Sequence, residues 1–312
     1  MGLSGWIIID KPVGLGSTAC VGRVKRALRE AGEAKTKVGH GGTLDPLASG
    51  VLPIALGEAT KLAGHMLGAT KAYDFTIAFG EQTDTLDLEG KVIVTSDVRP
   101  TRAEVEAILP SFTGPIEQVP PAYSALKVDG KRAYDLARAG AEVVLKSRSV
   151  TVHALQLLST GSGGEELDSI TLAASVSKGT YIRSLARDIA LALGTVGRVT
   201  MLRRTRAGPF TLESAISLDI LDRAVKSREL DGAVLPLIAG LDDIPALPVT
   251  PEQAVLLRHG RRLAGNPAAG SHQGATLMGL RPGLYLATDA NCPVALVEVA
   301  AGDVFVVRGF NI

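Results

Sequence analysis

The sequence predicts an α+β fold, and three observations carry that prediction. Residues 71–79 place Tyr73, Phe75, Ile77 and Phe79 on one side of an alternating pattern, the period of a half-buried strand. Residues 17–31 and 180–193 repeat apolar side chains at helical spacing. Beyond residue 240, short apolar runs separated by glycine and turn residues predict a small β-rich domain.

Element by element, the apolar run Trp6–Ile9 reads as a strand that ends at Asp10-Lys11-Pro12. Ser17 is positioned to cap a helix to about Ala31, with Val21, Val24 and Leu28 on its inner face. Val51–Leu56 predicts a second strand, Thr60–Leu67 a short helix and Lys71–Phe79 a third strand. Pro100-Thr101 opens a helix to Leu109, and Gly114-Pro115 and Pro120-Pro121 mark a change of character. The stretch 114–149 interleaves tyrosines with Lys127, Lys131, Arg132, Arg138 and Lys146, with a helix expected near 133–139. That mixture suits an RNA backbone with exposed bases. Strands at 150–158 and 170–176 follow, then a helix from Thr180 to Leu193 with Arg183 in its first turn. A cation there is disfavoured by the helix dipole and calls for an acidic partner. Asp242–Pro248 has linker character, and Leu284–Ala287, Ala295–Val299 and Val304–Val307 read as strands.

Bulk properties narrow the function. The 312 residues have room for one large core and a small second domain. No apolar run is long enough to span a bilayer, and Gly5–Asp10 is a strand cut by a charge rather than a signal segment. Cys20 and Cys292 lack ligand-like spacing and read as reduced thiols of a cytoplasmic protein. Five scattered histidines without CxxC or HxxxH predict no metal site. Net charge is only +1, yet residues 194–210 carry Arg198, Arg203, Arg204 and Arg206 with no acid, while residues 80–107 hold seven acids against three bases. Such segregation can assemble a phosphate-facing surface on a nearly neutral protein.

The most informative stretch is Val38-Gly39-His40-Gly41-Gly42-Thr43-Leu44-Asp45-Pro46-Leu47-Ala48-Ser49-Gly50. It sets one carboxylate in a loop too rich in Gly and Pro for helix or central strand, where scaffolded reactive groups tend to sit. Taken alone, an Asp-Pro pair more often stiffens a turn.

This stretch closely resembles the catalytic loop of the B-type tRNA pseudouridine synthases. Further segments match the family in order. Gly5-Trp6-Ile7-Ile8-Ile9-Asp10-Lys11-Pro12-Val13-Gly14 is similar to its opening motif. Lys71-Ala72-Tyr73 resembles the motif with a base-stacking tyrosine. Ser177-Lys178-Gly179-Thr180-Tyr181-Ile182-Arg183-Ser184 resembles the motif whose arginine pairs with the catalytic aspartate, and Met201-Leu202-Arg203-Arg204 completes the set. The matches span residues 5–206, and their joint order is specific where each alone is weak. The chain departs from the family at Gly41, where relatives often have Thr, and at Gly16-Ser17, often Thr-Ser.

The resemblance implies a pseudouridine synthase fold, with a mixed, mainly antiparallel sheet flanked by helices. It implies a catalytic domain over 1–240, a thumb-like RNA-binding insertion at 114–149 and a small PUA-like domain at 241–312. The implied reaction isomerises uridine 55 in the tRNA T-loop without a cofactor. Asp45 is the implied catalytic residue, paired with Arg183. Tyr73, Tyr181 and Leu202 are implied walls of the uracil pocket, and His40 the residue that fills the space left by the flipped nucleotide. Lys127, Lys131, Arg132, Arg203 and Arg204 are candidates for the RNA backbone. The expected partner is the tRNA T-arm and elbow, with no membrane and no obligatory protein partner. Lys11 and Lys178 suit phosphate contacts or bracing of the protein's own loops. Three other readings stay open: a guide-dependent relative acting on ribosomal RNA, a tRNA-folding chaperone with dispensable catalysis, and a glycosidase. The last lacks a second carboxylate.

Overall fold

The computed structural model describes all residues except 1–2, 34, 125, 129–130, 135–144, 162–163 and 265–279. The apolar run Gly5–Lys11 forms β1, and helix α1 (Ser17–Glu30) follows. β2 (Val38–His40) enters the Asp45 loop and β3 (Ala48–Leu56) leaves it. A 3-10 turn at Gly57–Leu62 and helix α2 (Ala63–Gly68) precede β4 (Lys71–Phe79). β5 (Glu81–Thr83) pairs with β6 (Val92–Thr95), ahead of α3 (Arg102–Ile108) and β7 (Gly114–Gln118). β8 (Lys127–Val128) and β9 (Lys131–Arg132) pair as a short ribbon. β10 (Arg148–Thr160), β11 (Ser169–Val176), α4 (Ile182–Ala192), β12 (Gly197–Ala207), β13 (Phe210–Thr211) and α5 (Leu218–Lys226) complete the larger unit. The rest comprises β14 (Ala246–Pro248), α6 (Pro251–Arg258), β15 (Gly283–Asp289), β16 (Cys292–Ala300) and β17 (Asp303–Gly309).

The main sheet runs β1-β3-β12-β4-β11-β10-β7, with β2 on β3 and β13 on β12. Every pairing is antiparallel except that of β12 with β3, so the sheet is mixed and mainly antiparallel, as expected. β3 is almost wholly buried because both of its faces are covered. Leu52, Ile54 and Leu56 pack with Leu28 of α1 and Leu221 of α5, while Val51 and Ala55 pack with Trp6, Leu62 and Phe210. α4 lays Ile182, Leu185 and Ile189 on Phe75, Ile77 and Leu172.

Several expectations are corrected. Ser17 is not the helix cap: Gly16 holds that position, and the Ser17 hydroxyl bonds elsewhere. Gly114–Gln118 is the edge strand of the main sheet, paired with Arg148–Val152, so the inserted segment between the two strands is 119–147. Pro115 is tolerated there because an edge strand has one side without ladder bonds. Residues 246–248 are not linker but a strand parallel to β15. The basic run 197–207 is a long strand inside the sheet. The helix expected at 133–139 falls mostly outside the described residues.

The second sheet runs β14-β15-β16-β17. Its own core joins Leu257 of α6 with Ala287, Val297 and Val304. Leu286, Leu296 and Phe310 turn the other way and share a core with Trp6, Leu62 and Phe210.

Candidate active site

The loop between β2 and β3 is held through its backbone. Ser17 Oγ accepts from Leu44 N at 2.8 Å and donates to Leu44 O at 3.0 Å. The fully buried Lys11 ammonium donates to Pro12 O, Leu15 O and Pro46 O, and Gly14 N also reaches Pro46 O at 2.8 Å. Arg204 donates to Gly42 O at 3.1 Å, Thr43 O at 3.4 Å and Val51 O at 2.7 Å. Gly50 (φ +100°) is required where β3 crosses Arg204, because an added Cβ would stand 2.2 Å from Arg204 O. At Gly41, where the family often has Thr, a Cβ would stand 2.6 Å from Met66 Cγ, so Met66 occupies that space. The loop's polar backbone is thereby satisfied from inside the protein, and the Asp45 side chain is left 40 % exposed.

Arg183, on the first turn of α4, lies behind that carboxylate with 7 % of its side chain exposed. Its Nη2 stands 3.0 Å from Asp45 Oδ2. Its other arm reaches Asp87 Oδ2 at 3.3 Å and donates to Thr85 O at 2.7 Å, and Nη2 also donates to Tyr123 O at 2.9 Å. Asp87 is buried, and its Oδ1 accepts from Thr85 Oγ1 and Glu89 N. The guanidinium is therefore fixed by one buried carboxylate and two carbonyls and offers a remaining edge to Asp45. Asp87 was not singled out from the sequence. Its signal was an acid two residues after Asp84-Thr85, lost in an acidic stretch that reads as solvated surface.

The sheet order assembles the rest. β12 lies between β3 and β4, placing Leu202 beside Ala48 and Phe75, and Arg204 beside Gly50 and Tyr73. Asp45, Tyr73, Tyr181, Ile182, Arg183 and Leu202 line one cleft of about 300 Å³. The Tyr181 backbone is clamped by the fully buried Gln118, which accepts from Tyr181 N at 2.8 Å and donates to Tyr181 O at 3.1 Å. The Arg148 guanidinium lies 4.7 Å from the Tyr181 ring centroid. His40 ends β2 and does not line the cleft. Burial, then the nearby Arg204, holds its imidazole below the usual range, so the ring is neutral at pH 7.

The candidate backbone contacts divide. Arg204 is 1 % exposed and spends its donors on loop carbonyls, so it cannot face RNA. Arg203 is paired with Asp10 through two hydrogen bonds of 3.1 and 2.8 Å, which ties β12 to β1 and leaves 35 % of its side chain exposed. The Arg204 correction has a physical cause: at its place in the sheet the guanidinium turns onto the neighbouring loop, whereas Arg206 on the same strand is exposed. Lys127, Lys131 and Arg132 share the β8–β9 ribbon, with Lys127 opposite Arg132. Lys178 is exposed and Lys11 braces the loop. Lys71 donates to Met66 O, Leu67 O and Ala69 O at the end of α2. Cys20 is buried and Cys292 exposed, neither in a disulfide. Among the described residues, no group of three or more His, Cys, Asp or Glu side chains is placed to hold a metal, and no helix is long and apolar enough to cross a membrane.

Comparison with known proteins identifies the family. The model of the TruB family pseudouridylate synthase N-terminal domain matches residues 26–182, and that of the tRNA pseudouridylate synthase B C-terminal domain matches 183–242. The tRNA pseudouridine synthase B of Novosphingobium aromaticivorans is 60 % identical, covering 99 % of this chain and 98 % of the relative. That of Zymomonas mobilis is 55 % identical, with 99 % and 96 % covered. Among solved structures, an H/ACA RNP bound to a substrate RNA containing 2′-deoxyuridine superposes with a TM-score of 0.72 at 25 % identity, covering 99 % of this chain and 85 % of that one. A Cbf5–Nop10–Gar1 complex gives 0.69 at 28 %, with 95 % and 78 % covered. Matched across residues 26–242 and along nearly its full length by these relatives, the chain belongs to the TruB family of pseudouridylate synthases.

Proposed function

We propose that this chain isomerises uridine 55 in the T-loop of tRNA to pseudouridine, with Asp45 as the catalytic group, Arg183 as its partner and the target base flipped into the cleft. That it is a pseudouridine synthase follows from its family, and tRNA as substrate from relatives named tRNA pseudouridine synthase B. The observation that carries the residue assignment is the Asp45 carboxylate, 40 % exposed at the cleft and 3.0 Å from a nearly buried Arg183.

The reaction breaks N1–C1′, turns the uracil and forms C5–C1′, while C5 gives up a proton and N1 takes one. Atoms and electrons balance without a cofactor. Asp45 acts at the sugar or base, and Arg183 fixes its orientation. Extruding the nucleotide costs about a few kcal/mol of unstacking. Stacking on Tyr73, with Tyr181 and Leu202 as further walls, returns roughly 1–3 kcal/mol per aromatic contact. His40, neutral and next to the loop, fills space rather than moving protons. The 119–147 segment, with Lys127, Lys131 and Arg132, grips the backbone of the T-arm and elbow. The second sheet is a PUA-like module. The enzyme works in the cytoplasm without an obligatory protein partner.

The solved H/ACA relatives favour one second reading, a guide-dependent enzyme. Tritium release from a bare tRNA transcript labelled at uridine C5 separates the two. Release by wild type, lost in Asp45→Asn and lost when the T-loop target uridine is replaced, is the expected result. No release without guide RNA and partner proteins would favour the second reading. Equal release by Asp45→Asn would remove Asp45 from the chemistry. Rescue of a deletion strain by inactive Asp45→Asn would make tRNA folding the biological role.

A further inference from the structure

A groove larger than the catalytic cleft lies away from it. It encloses about 640 Å³, against about 300 Å³ at Asp45, and runs between α1 and the chain that enters β2. Lys25 and Arg29 form one wall, one helical turn apart on α1, and Lys35 and Lys37 form the other, with Leu28 between. All four cations are exposed, and no acid lines the groove. Among the described residues none of the four takes part in an ion pair. Of the nearby acids, Glu30 is exposed next to Arg29 on α1 and Glu58 feels the charge of Lys37, while Glu33 and Glu58 take their hydrogen bonds from other groups. Glu33 accepts from Leu3 N and Thr36 Oγ1, both at 3.3 Å, and Glu58 accepts from Lys61 at 2.6 Å and Asn311 N at 2.8 Å.

Like charges one turn apart disfavour a helix, and four in one groove repel one another. A ligand carrying a row of negative charges relieves that repulsion, and releasing its counterions adds to the binding. The groove also has a direction. Val38 and Gly39, which line it, are the first two residues of β2, and the strand continues through His40 into the Asp45 loop. A polyanion in the groove therefore lies on the same strand that carries the catalytic loop.

We propose that this groove is a second RNA-backbone site, holding phosphates of the same RNA whose target nucleotide occupies the Asp45 cleft. The proposal rests on the reading of that cleft as an RNA-modifying site. The phosphates come either from the T-arm itself or from another part of the tRNA.

The test is filter binding of Lys25→Ala/Arg29→Ala and wild type across 50–200 mM salt, with full-length tRNA transcript and with an isolated T-arm hairpin. Both side chains are exposed, so the fold is retained, and a circular dichroism melt checks this. Loss of two phosphate contacts shrinks the slope of log K against log salt by about 1.4–1.8. Tritium release at saturating tRNA stays at the wild-type level. A reduced slope with both RNAs assigns the phosphates to the T-arm, and a reduced slope with full-length tRNA alone assigns them elsewhere in the tRNA. An unchanged slope with both overturns the proposal. So does an equal change in the control Arg223→Ala/Lys226→Ala, which removes the same charge from exposed positions on α5. Inorganic phosphate binding that the double variant loses, with RNA affinity unchanged, assigns the groove to a small anion and also overturns it. Wild-type tRNA binding with the expected salt dependence but no tritium release counts against the Asp45 reading, not against the groove.

Discussion

Arg183 faces two carboxylates, and the difference between them defines their roles. Asp87 is buried and its side chain is bonded to its own loop, while Asp45 is open to the cleft. Asp87 therefore orients the guanidinium and Asp45 receives it. Asp87→Asn preserves shape but removes the charge that fixes one arm of Arg183. A catalytic group displaced by about 1 Å can lose roughly 100-fold in rate. We expect single-turnover tritium release to fall by about that factor while tRNA binding stays near wild type, and an unchanged rate would deny Asp87 its positioning role. Lys71 makes a different prediction. Burial, then the fields of Arg204 and Lys178, lowers its ammonium to about 8 from the ordinary lysine range. The folded state thus binds fewer protons than the unfolded chain between about pH 8 and the ordinary lysine pKa near 10.4. Stability contributed at this site should rise with pH across that window. Denaturant melts of wild type and Lys71→Met at pH 7, 8.5 and 9.5 read this as a gap that moves in favour of wild type, and a pH-independent gap would refute it.

The Asp45 loop is an irregular element made rigid by side chains from elements distant in sequence. Ser17 bonds Leu44 across 27 residues and Arg204 bonds Gly42 across 162. Ser17→Ala leaves the Leu44 amide and carbonyl buried without their partner, a cost of about 1–3 kcal/mol. A denaturant midpoint shift of that size, accompanied by slower tritium release, is expected, whereas a loss of stability with full activity would show that the loop tolerates slack. The same bonds explain what the sequence could and could not disclose. The strand 71–79 was legible because Phe75, Ile77 and Phe79 bury one face. The helix after Pro100 was legible from Pro100-Thr101 at its start, and the structure adds a capping box between Thr101 and Glu104. Asp45, Tyr73, Tyr181, Arg183 and Leu202 were legible through family motifs, and the cleft brings them together. Ser17 misled because its local cue, a serine where a helix begins, lost to a partner that only the tertiary fold supplies. Arg204 misled for the same reason: in an internal strand its charge is met by loop carbonyls, and no local pattern encodes that.

At the scale of the whole molecule, the two sheets meet over the chain's one tryptophan. Trp6 is fully buried, donates to Leu237 O at 3.0 Å and packs with Phe210. It shares its core with Leu286, Leu296 and Phe310 from the second sheet. Polar ties run beside that core: Lys61 donates to Gly309 O at 2.9 Å, and Asn311 N donates to Glu58 at 2.8 Å. A β-rich unit that looks separable in sequence is thus cemented to the first strand of the larger one, and the two should unfold together. Trp6 fluorescence and far-UV circular dichroism should give one coincident transition, the mark of a single cooperative unit. Phe310→Ala, at a side chain 2 % exposed, removes a ring from the shared core and should lower global stability by about 3–5 kcal/mol. Both probes should shift by the same amount, because the cavity opens beside Trp6 rather than inside the second sheet alone. An early transition seen by dichroism but silent in Trp6 fluorescence would instead mean that the second sheet melts by itself, and that the shared core adds contact without cooperativity.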